Sequence, residues 1–160
     1  MWADPGRGEG RSTLAGGARD VDDHEVLIHE GLELLTEEEC VDLLESGGVG
    51  RIGVTIAGLP VILPVNYAFV DGEVLFRTGE GTKLSAATQR AVVAFEVDAY
   101  DVDSASGWSV LVIGRSSVVT DPMELARLDG YEITSWADGT RNNYVRLRPE
   151  LLSGRRIARG

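Results

Sequence analysis

Residues 49–77, VGRIGVTIAGLPVILPVNYAFVDGEVLFR, decide the fold. The first nine, VGRIGVTIA, alternate apolar and polar side chains, the period of a half-buried strand. Gly58-Leu59-Pro60 then forms a turn. Residues 61–70, VILPVNYAFV, make a second strand, in which Pro64 lacks an N–H and demands a sheet edge or a bulge. Asp71-Gly72 is a two-residue hairpin signal, and residues 73–77, EVLFR, run back as a third strand.

Downstream, a Gly-rich connection spans residues 78–83, TGEGTK, and good helix formers follow at 84–90, LSAATQR. Strands are expected at 91–97 and 108–120, separated by a polar loop over 100–107. Asp121 as N-cap and Pro122 at the first helical position open a helix over 123–128. A last short strand at 144–147 precedes Pro149 and a basic tail holding Arg155, Arg156 and Arg159. Upstream, Thr36 and Glu39 fit a capping box, Gly47-Gly48 ends that helix, and Cys40, Val41 and Leu44 fall on one face of it. Residues 26–35 form either a short strand or an extended lead-in. Residues 1–25, rich in Gly and Asp and poor in large apolar side chains, are expected to be a disordered tail. Residues 26–160 then make a single domain. Mostly antiparallel strands with short helices inserted between them point to a mainly β fold, a small barrel rather than a βαβ layout.

Composition narrows the class. The chain has 160 residues, 43% hydrophobic and 26% charged, the balance of a globular domain with a core. No apolar run approaches the roughly eighteen residues of a membrane span, and no apolar run follows the N-terminal charges as in a secretory signal. A single cysteine, Cys40, makes no internal disulfide, and no Cys/His cluster indicates a metal site. A cytoplasmic protein is expected. The net charge of −11 is uneven: residues 1–50 hold 13 acidic side chains and 3 arginines, and the rest sums to −1. Such an acidic segment repels phosphate backbones, so nucleic acid is not an expected partner. Only one lysine, Lys83, is present.

That lysine sits in the most suggestive segment. Arg77, Thr78, Thr82 and Lys83 surround Gly79 and Gly81, combining positive charge, hydroxyl donors and accessible backbone N–H groups. These are what a phosphate needs, although the glycine spacing fits neither a Walker loop nor a dinucleotide fingerprint. A solvated turn would carry the same residues. Asn66 and Tyr67 interrupt an apolar run, where they would either bond a planar heterocycle or sit satisfied in the core. Trp108, beside Ser109 at the start of a strand, would stack on an aromatic ligand or cover the core. Cys40 has no base nearby and behaves as a small hydrophobe.

In these segments the sequence resembles the pyridoxamine 5′-phosphate oxidase-like superfamily of flavin-binding split barrels, and within it the nitroimidazole-resistance-type branch. The likeness runs in order from Leu34 to Ile157 through TEEECVDLLES, GRIGVTIAGLPVILPVNYAF, FRTGEGTKL and GWSVLVIGR. It implies a six-stranded antiparallel split β-barrel, a homodimer, and FMN at the dimer interface. Arg77, Thr78, Thr82 and Lys83 would hold the FMN phosphate. Pro64, Val65, Asn66 and Tyr67 would lie along the isoalloxazine ring, and Trp108 and Ser109 would reach it from the partner subunit. The implied activity is a flavin-dependent oxidoreductase acting on a small acceptor, or else a flavin-binding module without catalysis. True pyridoxamine phosphate oxidases end in an aromatic-rich segment with an Arg-x-His pair. Residues 151–157, LLSGRRI, hold neither Trp nor His, so vitamin B6 oxidation is not implied. Relatives of this fold also use a deazaflavin, which stays an alternative, or haem, which the two histidines outside the strands disfavour.

Overall fold

The structure, a computed structural model, describes residues 32–79, 82–131, 133 and 143–157. The disordered tail expected over residues 1–25 lies outside them. The elements run β1 (Leu32–Leu34), α1 (Glu37–Glu45), β2 (Gly48–Ile56), β3 (Leu59–Val70), β4 (Glu73–Thr78) and α2 (Lys83–Ala87). They continue as β5 (Ala91–Asp101), β6 (Ser106–Val118), α3 (Pro122–Leu128) and β7 (Asn143–Ile157).

Every strand pairing is antiparallel. The order β1-β7-β4-β3-β2-β5-β6, with a further β6–β7 pairing, closes six strands into a ring and leaves β1 against the end of β7. Closure matters because a ring of this kind leaves few open sheet edges. Alternation along each strand fills the interior. Ile52, Val54, Val65, Tyr67, Val74, Phe76, Val93, Phe95, Val97, Val110, Val112, Val145 and Leu147 form one buried cluster. α1 adds Cys40 and Leu44 to that cluster, and Leu84 and Ala87 of α2 pack against it. α1 approaches closely because Gly154 of β7 has no side chain: a Cβ there would lie 2.5 Å from Cys40 Sγ. α3 covers the opposite face of β4 and β7, where Leu75, Val119, Leu128, Ile133 and Tyr144 make a second cluster.

The capping box forms as expected. Thr36 N–H donates to Glu39 Oε2 (2.9 Å), and Glu39 N–H donates to Thr36 Oγ1 (3.2 Å). Asp121 caps α3 by accepting from Glu124 N–H (2.8 Å). The Pro64 reading also holds, since β3 meets β4 only from Tyr67 to Val70 and its other flank is an edge before that point.

The last strand differs from the sequence reading. β7 does not stop before Pro149 but continues to Ile157, so Arg155 and Arg156 are strand residues and not tail. The reason is a bulge: Ile113 pairs with Leu151 while Gly114 pairs with Pro149, so Glu150 is an extra residue and the missing Pro149 N–H is accommodated. The helix expected over 84–90 is also shorter, because α2 ends at Ala87 and Arg90 turns into the left-handed region (φ 55°) to enter β5.

Candidate functional site

β3 and β4 are paired only as far as Tyr67 and Phe76, and beyond that pair they separate. Residues 64–66 form one arm of the fork, paired with β2 alone, and Arg77 and Thr78 form the other, paired with β7 alone. Backbone groups along the inner edges of both arms therefore have no strand partner across the fork.

Successive residues leave opposite faces of a strand. Thr78 accordingly turns inward with Phe76 and is 1% exposed, while Arg77 turns outward. Two polar atoms here are buried with no hydrogen-bond partner among the described residues: Arg77 Nε and Thr78 Oγ1. Such orphans are costly and uncommon, of the order of 1–3 kcal/mol each, unless a ligand or water completes them. The Arg77 guanidinium lies over the Tyr144 ring, with Cζ 5.0 Å from its centre. Tyr144 in turn donates its hydroxyl proton to Asp129 Oδ1 at 2.9 Å. Burial, and after it the Asp129 bond, push the Tyr144 phenol upward.

After Gly79 the chain turns into α2. Thr82 caps that helix, its Oγ1 donating to Gly79 O (3.0 Å) and accepting from Ser85 N–H (3.1 Å). A Cβ on Gly79 would stand 2.9 Å from Thr82 Cγ2, so the glycine is what allows this tight closure. Lys83 opens α2 with its side chain exposed. Arg77, Thr78, Thr82 and Lys83 are thus brought together on one strand–turn–helix, although the first two start from opposite faces of β4.

On the other arm, Pro64 and Asn66 face outward, whereas Val65 and Tyr67 face the core. Tyr67 meets Phe95 edge-on, with ring centres 4.8 Å apart. Its hydroxyl is buried without a partner among the described residues, and burial pushes its pKa up to about 12. Pro64 and Asn66 side chains and the 64–66 backbone are the groups turned to the outer surface. Their neighbour Arg51, paired in register with Pro64, is held by Asp98 (2.7 Å) and Glu96 (3.2 Å).

Trp108 and Ser109 are not near this fork. Trp108 packs against the main core, and both residues line a groove of about 250 Å³ with Leu32, Tyr100, Arg155 and Ile157. β2 and β5 lie between β3 and β6, about 14 Å at ordinary strand spacing. The sequence reading also missed Tyr144 beneath Arg77, and Asp129, which holds Tyr144. No spacing signal could have shown them, because the link is the Arg77–Tyr144 register between β4 and β7. Arg156, read as tail, pairs with Glu39 of α1 (3.3 Å).

The sequence profile of the pyridoxamine 5′-phosphate oxidase family matches residues 36–156. The chain belongs to that family. An uncharacterised protein of Mycobacterium tuberculosis is 38% identical over 128 residues, covering 77% of this chain and 84% of its own length. The structure of an FAD-binding protein from Mycobacterium smegmatis is similar at 39% identity and a TM-score of 0.67, covering 78% of this chain and 97% of that one. A protein described as a candidate 5-nitroimidazole antibiotic resistance protein from Bacteroides thetaiotaomicron shares the fold. It is 13% identical, with a TM-score of 0.60 over 80% of this chain and 93% of that one. The six-stranded ring is therefore the family's split barrel, and the branch inferred from the sequence lies among its structural neighbours.

Proposed function

We propose that this protein binds a flavin nucleotide by its phosphate at residues 77–83 and works as a flavin-dependent oxidoreductase. The observation that carries the reading is the pair of buried orphan atoms, Arg77 Nε and Thr78 Oγ1, beside the exposed Lys83. Cationic and hydroxyl donors lacking acceptors fit a phosphate dianion, and charge-assisted bonds of this kind are the strong ones. When bound, the flavin would supply the hydride or electron transfer to a small acceptor. The chain's own residues bind and orient. Arg77 and Lys83 offset the phosphate charge, the Thr82 cap holds the loop closed, and Pro64 and Asn66 with their backbone give the ring a surface along the open edge of β3. Burial keeps the Tyr67 hydroxyl protonated at neutral pH.

FMN is the smallest flavin nucleotide that carries the phosphate this loop would hold. FAD carries the same ribityl phosphate, and the likeness to the Mycobacterium smegmatis FAD-binding protein favours it as the second reading. A homodimer completes the site. Ser109 lies three strands from the β3 arm, and Trp108 pairs with Arg156, far along β7 from Tyr144, the partner of Arg77, which favours their reaching a flavin at the fork from a second subunit. Leu59 and Ile62, 67% and 72% exposed on β3, supply apolar surface for that contact. No helix among the described residues is long and apolar enough to cross a membrane, and a cytoplasmic place belongs to the same proposal.

The visible spectrum of the purified full chain tests this, before and after incubation with FMN, FAD or a deazaflavin and removal of excess. A retained two-band flavin spectrum, bleached by a reduced nicotinamide and restored by an acceptor, is expected. Retention without turnover would leave a flavin-binding module and remove the enzyme. Uptake of deazaflavin alone, or of nothing, would overturn the flavin reading.

A further inference from the structure

We infer that Tyr144 and Asp129 are positioning residues for Arg77, fixing the plane in which its guanidinium meets a flavin phosphate; the inference rests on the flavin reading of the same loop. Among the described residues Arg51, Arg115, Arg127, Arg146, Arg148 and Arg156 each have a carboxylate oxygen within 4.0 Å, whereas Arg77, Arg90 and Arg155 have none, and of these three Arg77 alone lies over an aromatic ring. An aromatic ring anchors it instead. That difference has a chemical consequence. A carboxylate occupies the N–H edge of a guanidinium and cancels its charge, whereas a ring occupies only its face. Arg77 on Tyr144 therefore keeps its in-plane donors and its charge for an incoming anion, and one of those donors, Nε–H, is buried without an acceptor.

The ring itself is held. Arg77 and Tyr144 are directly opposite on β4 and β7 and share the outer face. Tyr144 is buried beneath α3 with Leu75 and Leu128, and its hydroxyl is tied to Asp129 at the end of that helix. Swinging the side chain about χ1 would break the 2.9 Å bond to Asp129, and turning the ring about its own axis would drive its edges into the packing with Leu75 and Leu128. The sequence Asp129–Tyr144–Arg77 thus passes the rigidity of a helix end to a phosphate-facing guanidinium.

Flavin fluorescence titrations on the full chain test it, comparing FMN with riboflavin, which lacks the phosphate. The readout is the FMN-over-riboflavin preference, which a loss of general packing would not shift. Arg77→Ala, the reference, is expected to lower that preference strongly. Tyr144→Leu is expected to lower it about two- to thirtyfold, the span of a cation–π contact, with riboflavin affinity little changed. An unchanged preference in Tyr144→Leu, with a lowered one in Arg77→Ala, would overturn the positioning role and leave the flavin reading standing. If wild type shows no preference for FMN, the flavin reading itself falls. Should Tyr144→Leu fail to fold by circular dichroism, Tyr144→Phe and Asp129→Ala decide: reduced preference in both supports the role, and wild-type preference in both overturns it.

Discussion

The pairing of β6 with β7 closes the ring, and Gly114 is where that pairing is tightest. A Cβ added at Gly114 would run into the Arg148 carbonyl oxygen, and would also lie 2.9 Å from the Arg148 carbonyl carbon and 3.1 Å from Glu150 N. The obstruction is backbone at the bulge, which cannot rotate aside as a side chain can. Overpacking a fitted core costs about 1–3 kcal/mol, and rigid backbone puts Gly114→Ala at the upper end. Against this stands the gain of roughly 0.4–1 kcal/mol from a stiffer unfolded chain, leaving a net loss of about 2 kcal/mol. Gly53→Ala is the matched control. It is also a strand glycine, but its Cβ would meet Ala94 Cβ at 3.6 Å and Ala94 O at 3.7 Å, ordinary contacts. It should gain about 0.5 kcal/mol. For a domain of this size 1 kcal/mol moves Tm by roughly 3–5 °C, so thermal unfolding should separate the two variants by about 10 °C. Equal melting temperatures, or a Gly114→Ala variant as stable as wild type, would refute the close β6–β7 approach.

Three further outcomes are expected. Lys83→Ala should weaken FMN binding about tenfold or more while leaving riboflavin binding unchanged, as measured by fluorescence titration. The Thr36 N–H, followed by Arg156, holds the Glu39 carboxyl below its ordinary pKa. Its contribution to stability is therefore full above about pH 4.3 and is lost as pH falls through the lowered value. Glu39→Gln should flatten that acid loss in urea midpoints taken between pH 7 and pH 3, and an identical pH profile would refute the assignment. Cys40 is 1% exposed, and burial followed by the nearby glutamates raises its thiol pKa, so a disulfide reagent should label it only when the chain unfolds. Labelling of the native protein within seconds would contradict its place in the core.

What was legible in the sequence was local. β2, β3 and β4 followed from alternation around Asp71-Gly72, the α1 cap from Thr36 and Glu39, and the edge character of β3 from Pro64. β7 was cut short because Pro149 and the two following arginines look like a tail. What makes them a strand is β6, whose register skips Glu150, and a single segment cannot show the partner that pairs with it. The loop from Arg77 to Lys83 was visible through its chemistry, since charge, hydroxyls and glycines concentrate there. The divergence of Arg77 and Thr78 follows only once β4 is known to extend through Thr78. Tyr144 and Asp129 were invisible for the reason that hid β7: their relation to Arg77 exists only across paired strands and under a packed helix.

A crystal structure of the full chain with FMN bound would test the central claim most directly. The account predicts the phosphate within hydrogen-bonding distance of the Arg77 and Lys83 side chains, the ring along residues 64–66, and Trp108 and Ser109 of the partner subunit completing the pocket. A phosphate seated elsewhere, for example among Arg90, Arg115 and Arg148, which line a cleft of about 410 Å³, would contradict it.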